Sequence, residues 1–133
     1  MNTTYFLNLA SGNLFGTKTN PPIPTKYYVG LSTTTPNLDG SGVTEPDSTG
    51  AYKRIQLTSL SEPTNGAVTN TSSISFDEST SDWGIVTHYV IYDSATNGNL
   101  LMFGAFSKPR SIETSTVMTI KEGYLKLKAL NPA

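Results

Sequence analysis

The pattern of apolar and polar positions centres on residues 83–106. Trp83-Gly84 opens an apolar, β-branched and aromatic run from Ile85 to Tyr92. Asp93-Ser94-Ala95-Thr96-Asn97-Gly98 interrupts it, and a second apolar run, Leu100 to Phe106, follows. Asn-Gly between two such runs predicts a hairpin, because both residues tolerate the positive φ that a tight turn demands. Ile85, Tyr89 and Ile91 fall on one alternating face of the first run, and Val86, Val90 and Tyr92 on the other. A strand that is apolar on both faces is covered on both sides, so this hairpin is read as the centre of the domain.

The flanking segments supply shorter strands. Lys26 to Ser32 and Tyr52 to Leu57 alternate, the latter with Ile55 and Leu57 inward. Ala67 to Phe76 places Val68, Ile74 and Phe76 on one face, after a turn marked by Asn65-Gly66. Lys108-Pro109 is read as the end of the central hairpin, because proline brings no N–H donor. Thr114 to Ile120 and Tyr124 to Ala129 complete the set, the last with Leu125, Leu127 and Ala129 inward and Tyr124, Lys126 and Lys128 outward. Short strands with turn signals at this density predict an all-β fold, a β-sandwich or small barrel of seven or eight antiparallel strands. Before them, Met1 to Gly16 reads as a short helical or extended arm. Tyr5, Phe6, Leu9 and Leu14 form its apolar stripe, and Asn2, Thr3 or Thr4 caps it. The extended Pro21-Pro22-Ile23-Pro24 leads into the domain. The predicted organisation is an arm over 1–24 and a β-domain over 25–133. The arm docks either on its own sandwich or on a neighbouring subunit.

Composition narrows the function classes. One domain suits 133 residues. Cysteine is absent, so disulfide frameworks, thiolate catalysis and zinc knuckles are excluded. Net charge is −1 with 14% charged residues, which argues against a nucleic-acid surface. No apolar run approaches the roughly 20 residues of a membrane span, and the N-terminus does not read as a signal peptide.

Candidate chemistry is sparse. His88 is the only histidine and sits mid-strand in the most apolar stretch, where it reads as a packed side chain. No nucleophile elbow, P-loop or dinucleotide fingerprint is present. Asp82 and Asp93 bracket one strand and lie roughly 30 Å apart, too far for a catalytic carboxylate pair. The chain is therefore read as non-enzymatic and without a cofactor. The long segment Thr33 to Gly50 concentrates three acids, Asp39, Glu45 and Asp47, which are candidate oxygen ligands for calcium. Their spacing matches no standard calcium loop, and a Glu45 ion pair with Lys53 or Arg54 is the alternative use. Trp83, Tyr27 and Tyr52, with Tyr28 and Tyr89, are candidate stacking residues for a sugar; core packing is the alternative.

Several stretches together resemble a known group. Tyr27-Tyr28-Val29-Gly30-Leu31-Ser32-Thr33-Thr34-Thr35-Pro36 leads into Asp39-Gly40-Ser41-Gly42-Val43-Thr44-Glu45-Pro46. Gly50-Ala51-Tyr52-Lys53-Arg54-Ile55 follows, then Trp83-Gly84-Ile85-Val86-Thr87-His88-Tyr89 with Ile91-Tyr92-Asp93, and Asn99-Leu100-Leu101 with Gly104-Ala105. In this order they are similar to short virion proteins of tailed bacteriophages, often labelled tail fibre or tail-associated proteins. The resemblance covers most of residues 25–129. Lys53 departs from it, standing where a small residue is expected. The resemblance implies a non-enzymatic structural subunit of the virion, assembled in the host cytoplasm. Its partners would be copies of itself, other virion proteins and, as an alternative role, a host surface glycan.

Overall fold

The structure, a computed structural model, describes residues 1–16 and 21–129. Residues 17–20 of the expected arm and 130–133 of the expected β-domain lie outside the described residues. The architecture is all-β with one short N-terminal helix. Eight strands run in chain order: β1 (Tyr28–Ser32), β2 (Ile55–Gln56), β3 (Ala67–Thr69), β4 (Ile74–Ser75), β5 (Gly84–Tyr92), β6 (Leu100–Ile112), β7 (Thr119–Ile120) and β8 (Lys126–Lys128). A four-stranded antiparallel sheet has the order β2-β1-β5-β6, and two ribbons, β3-β8 and β4-β7, accompany it. Among the described residues β2 and β6 do not pair, so no barrel closes.

The expected hairpin is the centre of the main sheet. β5 pairs with both β1 and β6, and Asn97 and Gly98 both adopt positive φ in the connecting loop. The cross-strand pairs Val29–Ile91, Leu31–Tyr89 and Ile91–Met102 set one face of the sheet. That face packs on Phe76, Met118, Ile120, Leu125 and Leu127, carried by the ribbons and their flanks, to form the main core. Val90, Tyr92, Leu100 and Phe103 form a second cluster, covered by Val43 of the long loop. Asn65-Gly66 forms a tight turn with both residues at positive φ, closed by reciprocal hydrogen bonds between Thr64 and Ala67.

Four expectations are corrected. Lys108-Pro109 does not end the second run, since β6 continues to Ile112. Arg110 pairs with Val86 and Ala105 with His88, so four residues of β6 stand opposite Thr87 alone. That wide bulge accommodates a proline without an N–H to offer. Past the break in the ladder the facing changes. Ile85, expected on a covered face with Tyr89 and Ile91, is 57% exposed, and Val86, expected on the opposite covered face, joins the Ile91 cluster. The run 67–76 splits at Asn70 into β3 and β4, which pair with different partners. The strands expected over 114–120 and 124–129 shorten to two and three residues, and Ala129 is exposed.

The arm begins as part of the sheet. Asn2 bridges Met102, the Phe103 N–H donates to Met1 O at 2.9 Å, and the Thr3 N–H donates to Leu101 O at 2.9 Å. Helix α1 (Thr4–Phe15) follows. Thr3 is its N-cap: its hydroxyl accepts from the Phe6 N–H at 3.2 Å and donates to Leu100 O at 2.7 Å. One buried side chain thus satisfies a helix terminus and fastens it to β6. Phe6 and Leu9 turn inward.

Candidate functional site

A charged cluster joins three separate segments at one end of the sheet. Glu45 arrives on the long loop, Tyr52 and Arg54 on the approach to and start of β2, and Ser94 and Asn97 on the β5–β6 loop. Arg54 Nη2 lies 2.6 Å from Glu45 Oε1, and Nε lies 3.2 and 3.1 Å from the two carboxylate oxygens. Its Nη1 donates to Ser94 O at 2.8 Å and Asn97 O at 2.7 Å. The guanidinium stacks 3.6 Å above the Tyr92 ring. Of the two basic residues expected to answer Glu45, Arg54 does so because its planar fork matches a carboxylate. Lys53 pairs instead with Asp77 at 3.2 Å, an exposed contact worth little.

Tyr52 completes the cluster. Its hydroxyl donates to Glu45 Oε2 at 2.5 Å and accepts from the Leu31 N–H at 3.0 Å. Burial, then the adjacent Glu45 carboxylate, raises this phenol far above its ordinary range and keeps it protonated. The Arg54 side chain is only 7% exposed and Glu45 22%, and each charge meets a partner. This arrangement is a saturated clasp: it positions three loops and offers no unoccupied base, nucleophile or ligand position. A shallow cleft of about 400 Å³ lies outside it.

The remaining candidates are dispersed. Trp83 and Tyr52 are buried together with Phe76 in the main core, with ring centroids 5.4 and 6.5 Å from Trp83. The Trp83 indole N–H donates to Gly50 O at 2.9 Å, so neither ring presents a face to a sugar. Tyr27 is half-buried against the same core. Asp39 accepts from the Ser41 N–H and hydroxyl, and Asp47 caps the Ser48–Gly50 turn through the Thr49 N–H. Both carboxyls are held below the usual range by these bonds, while Glu45 is committed to Arg54. Among the described residues no group of three or more acids, histidines or cysteines is arranged to hold a metal ion. His88 sits opposite Ser32 in the ladder, its Nδ1 2.8 Å from Thr87 Oγ1, with its pKa lowered by burial. The Ser32 hydroxyl is spent on Thr34 O and accepts from the Thr44 N–H. Asp82 and Asp93 cap opposite ends of β5, through Thr114 and Asn99.

Sequence reasoning missed two kinds of residue. Asn70 and Ser79 are buried polar hubs that hold turns together, and nothing in their local sequence separates them from surface Asn and Ser. The outward face of α1 is the other. Tyr5 and Leu14, expected on one apolar stripe with Phe6 and Leu9, are instead 39% and 71% exposed, and Phe15 is 82% exposed. The uncharged composition of residues 1–17 was the available signal. Among the described residues no helix is long and apolar enough to cross a membrane. A comparison with curated proteins finds no match. A family model described as Podophage GP4 fiber I protein gp80 matches residues 2–128.

Proposed function

The chain belongs to the podophage GP4 fiber I protein gp80 family, and from that premise we propose that it is a structural subunit that associates with copies of itself and other virion proteins. Its contribution to the fibre is architectural and not catalytic. The observation that supports association is the outward face of α1. The helix is anchored at Thr3, buries Phe6 and Leu9, and still exposes Leu14 and Phe15 with no charged residue among them. Large apolar side chains exposed together at a helix end mark a contact site. Closed symmetric assembly is the common outcome for such subunits.

The alternative role, a carbohydrate-binding host-attachment module resting on Trp83, Tyr27 and Tyr52, lacks an exposed aromatic platform at those residues. The reading is tested by light scattering on the full chain and on a Leu14→Glu/Phe15→Glu variant. The expected result is an oligomer for the parent and a monomer with unchanged circular dichroism for the variant. A parent that stays monomeric across the accessible concentration range, alone and with other fibre components, overturns the proposal. Deleting the whole arm is a poor test, because residues 1–9 belong to the sheet edge and the core.

A further inference from the structure

An apolar groove of about 300 Å³ opens beside the start of α1. Phe6 forms its helical side, Val68 and Leu127 are paired across the β3–β8 ribbon, and Tyr27 and Leu60 complete the walls. Leu60 is 37% exposed. Lys128 is the one charged residue that lines the groove, and among the described residues it takes part in no ion pair. The volume is roughly twice the ~150 Å³ of an apolar cavity that holds benzene, so an aromatic ring and an aliphatic side chain fit together.

The far end of the same helix has the opposite needs. Leu14 and Phe15 are exposed, and the last turn contains no basic residue. The C-terminal end of a helix carries partial negative charge that a lysine or arginine normally offsets. This end therefore lacks an apolar recess and a cation, and the groove supplies both. It cannot supply them within one molecule: Leu14 stands eight positions beyond Phe6, about 12 Å along a continuous helix. We propose that the groove receives Leu14 and Phe15 of a second copy of the chain, with Lys128 set against the C-terminal end of the incoming helix. Each copy carries both parts, so a two-fold pairing lets each copy donate and receive. The inference rests on the reading of α1 as an association surface and names the surface it meets.

The test combines sedimentation equilibrium with cross-linking of the full chain. Leu60→Glu is expected to weaken association tenfold or more. Lys128→Glu weakens it threefold or more at low salt, and the difference shrinks as salt is added. Val117→Glu, at an exposed apolar position outside both parts, leaves it unchanged. Circular dichroism checks that each variant is folded. The chain has no cysteine, so engineered pairs report proximity cleanly. In a mixture of Leu14→Cys and Leu60→Cys chains, mild oxidation links one variant to the other, and neither variant alone is linked. If the parent associates and Leu14→Glu/Phe15→Glu abolishes this, but the groove variants associate like the parent and no mixed cross-link forms, the groove is overturned as the receiver while the role of α1 stands. A parent that never associates overturns both.

Discussion

Replacing Tyr52 with Phe removes one oxygen atom and tests the whole account of the clasp. The ring stays: its contacts with Trp83 (5.4 Å) and Phe76 (6.3 Å) need no hydroxyl. What changes is the edge of β1. The β1–β2 ladder covers only Tyr28 and Val29, and the next N–H on that edge, Leu31, donates to the Tyr52 hydroxyl. Leu31 is fully buried, so the substitution leaves a backbone donor without a partner and without water. An orphaned buried donor costs about 1–3 kcal/mol, and loss of a hydrogen bond to a charged group about 1.5–3 kcal/mol. The two overlap, giving an expected loss of about 2–4 kcal/mol, a large share of a stability of roughly 5–15 kcal/mol. Urea denaturation reads this as a lower midpoint at an unchanged slope. A loss under about 0.5 kcal/mol would refute the reasoning, since the Leu31 N–H would then have another partner. The same variant carries a pH signature. The folded Tyr52 phenol is raised above its unfolded value of about 10, by burial first and then by Glu45. Between the two values the unfolded chain has lost a proton that the folded chain keeps. Stability is therefore intact below pH ~10 and falls as pH rises beyond it, by about 1.4 kcal/mol per pH unit for this group. Tyr52→Phe is expected to flatten that alkaline fall by this amount; Tyr27, Tyr89 and Tyr92, also raised, leave a residual slope.

Two further substitutions test positions where packing is tight. A Cβ at Gly104 would lie 2.4 Å from the hydroxyl oxygen and 2.5–2.6 Å from ring carbons of Tyr89, its cross-strand partner, so Gly104→Ala is expected to cost about 1–3 kcal/mol. Thermal unfolding of the Gly104→Ala/Tyr89→Ala double variant should show positive coupling; strict additivity would mean that the ring moves aside freely. Asn70→Ala removes bonds from Nδ2 to Ser72 O and Lys121 O, both 2.9 Å, and from the Leu125 N–H to Oδ1, 3.0 Å. Chemical denaturation should show a loss of about 2–4 kcal/mol, with a change within about 0.5 kcal/mol contradicting its role as a buried hub.

The parts of the fold legible in the sequence are those where one local signal has one physical meaning. Asn65-Gly66 and Asn97-Gly98 take positive φ where their chemistry predicts it, and the two-sided apolar run 85–92 lies between two strands. Thr3 caps α1 as a residue of its type should. The family resemblance drawn from residues 25–129 agrees with the family match over 2–128. Illegible were features decided at a distance. Pro109 looks like a strand terminator, yet β6 passes it because the partner strand lets four residues stand opposite Thr87. The same break turns Val86 inward and Ile85 outward against strict alternation. Site reading met the same limit. Glu45 was a sound ion-pair candidate, but only the fold selects Arg54 over Lys53, because the Ser94 and Asn97 carbonyls wait for the second arm of a guanidinium. Trp83, Tyr27 and Tyr52 have the composition of a stacking platform; whether aromatic rings face solvent or core is set by the layer packed over them.

The edges of the sheet bear on how such a subunit meets its neighbours. On the β6 side, Asn2 bridges Met102 and the backbone of Met1 and Thr3 takes up the adjoining groups, so an incoming strand finds that stretch occupied. Farther along, the bulge and Pro109 bend the edge and remove a donor, two devices that oppose strand addition. On the other side β2 is two residues long, and the next donor of β1 is already held by Tyr52. Extending the sheet from chain to chain would require breaking these intramolecular bonds first. Side-chain association through α1 requires none: Leu14 and Phe15 are already outside, and covering both would gain about 1.5–3 kcal/mol per side chain at full burial. If the subunit assembles, the helix face is thus the lower-cost route, and a Leu14→Glu/Phe15→Glu variant that still assembled would mean that a strand edge had been opened instead.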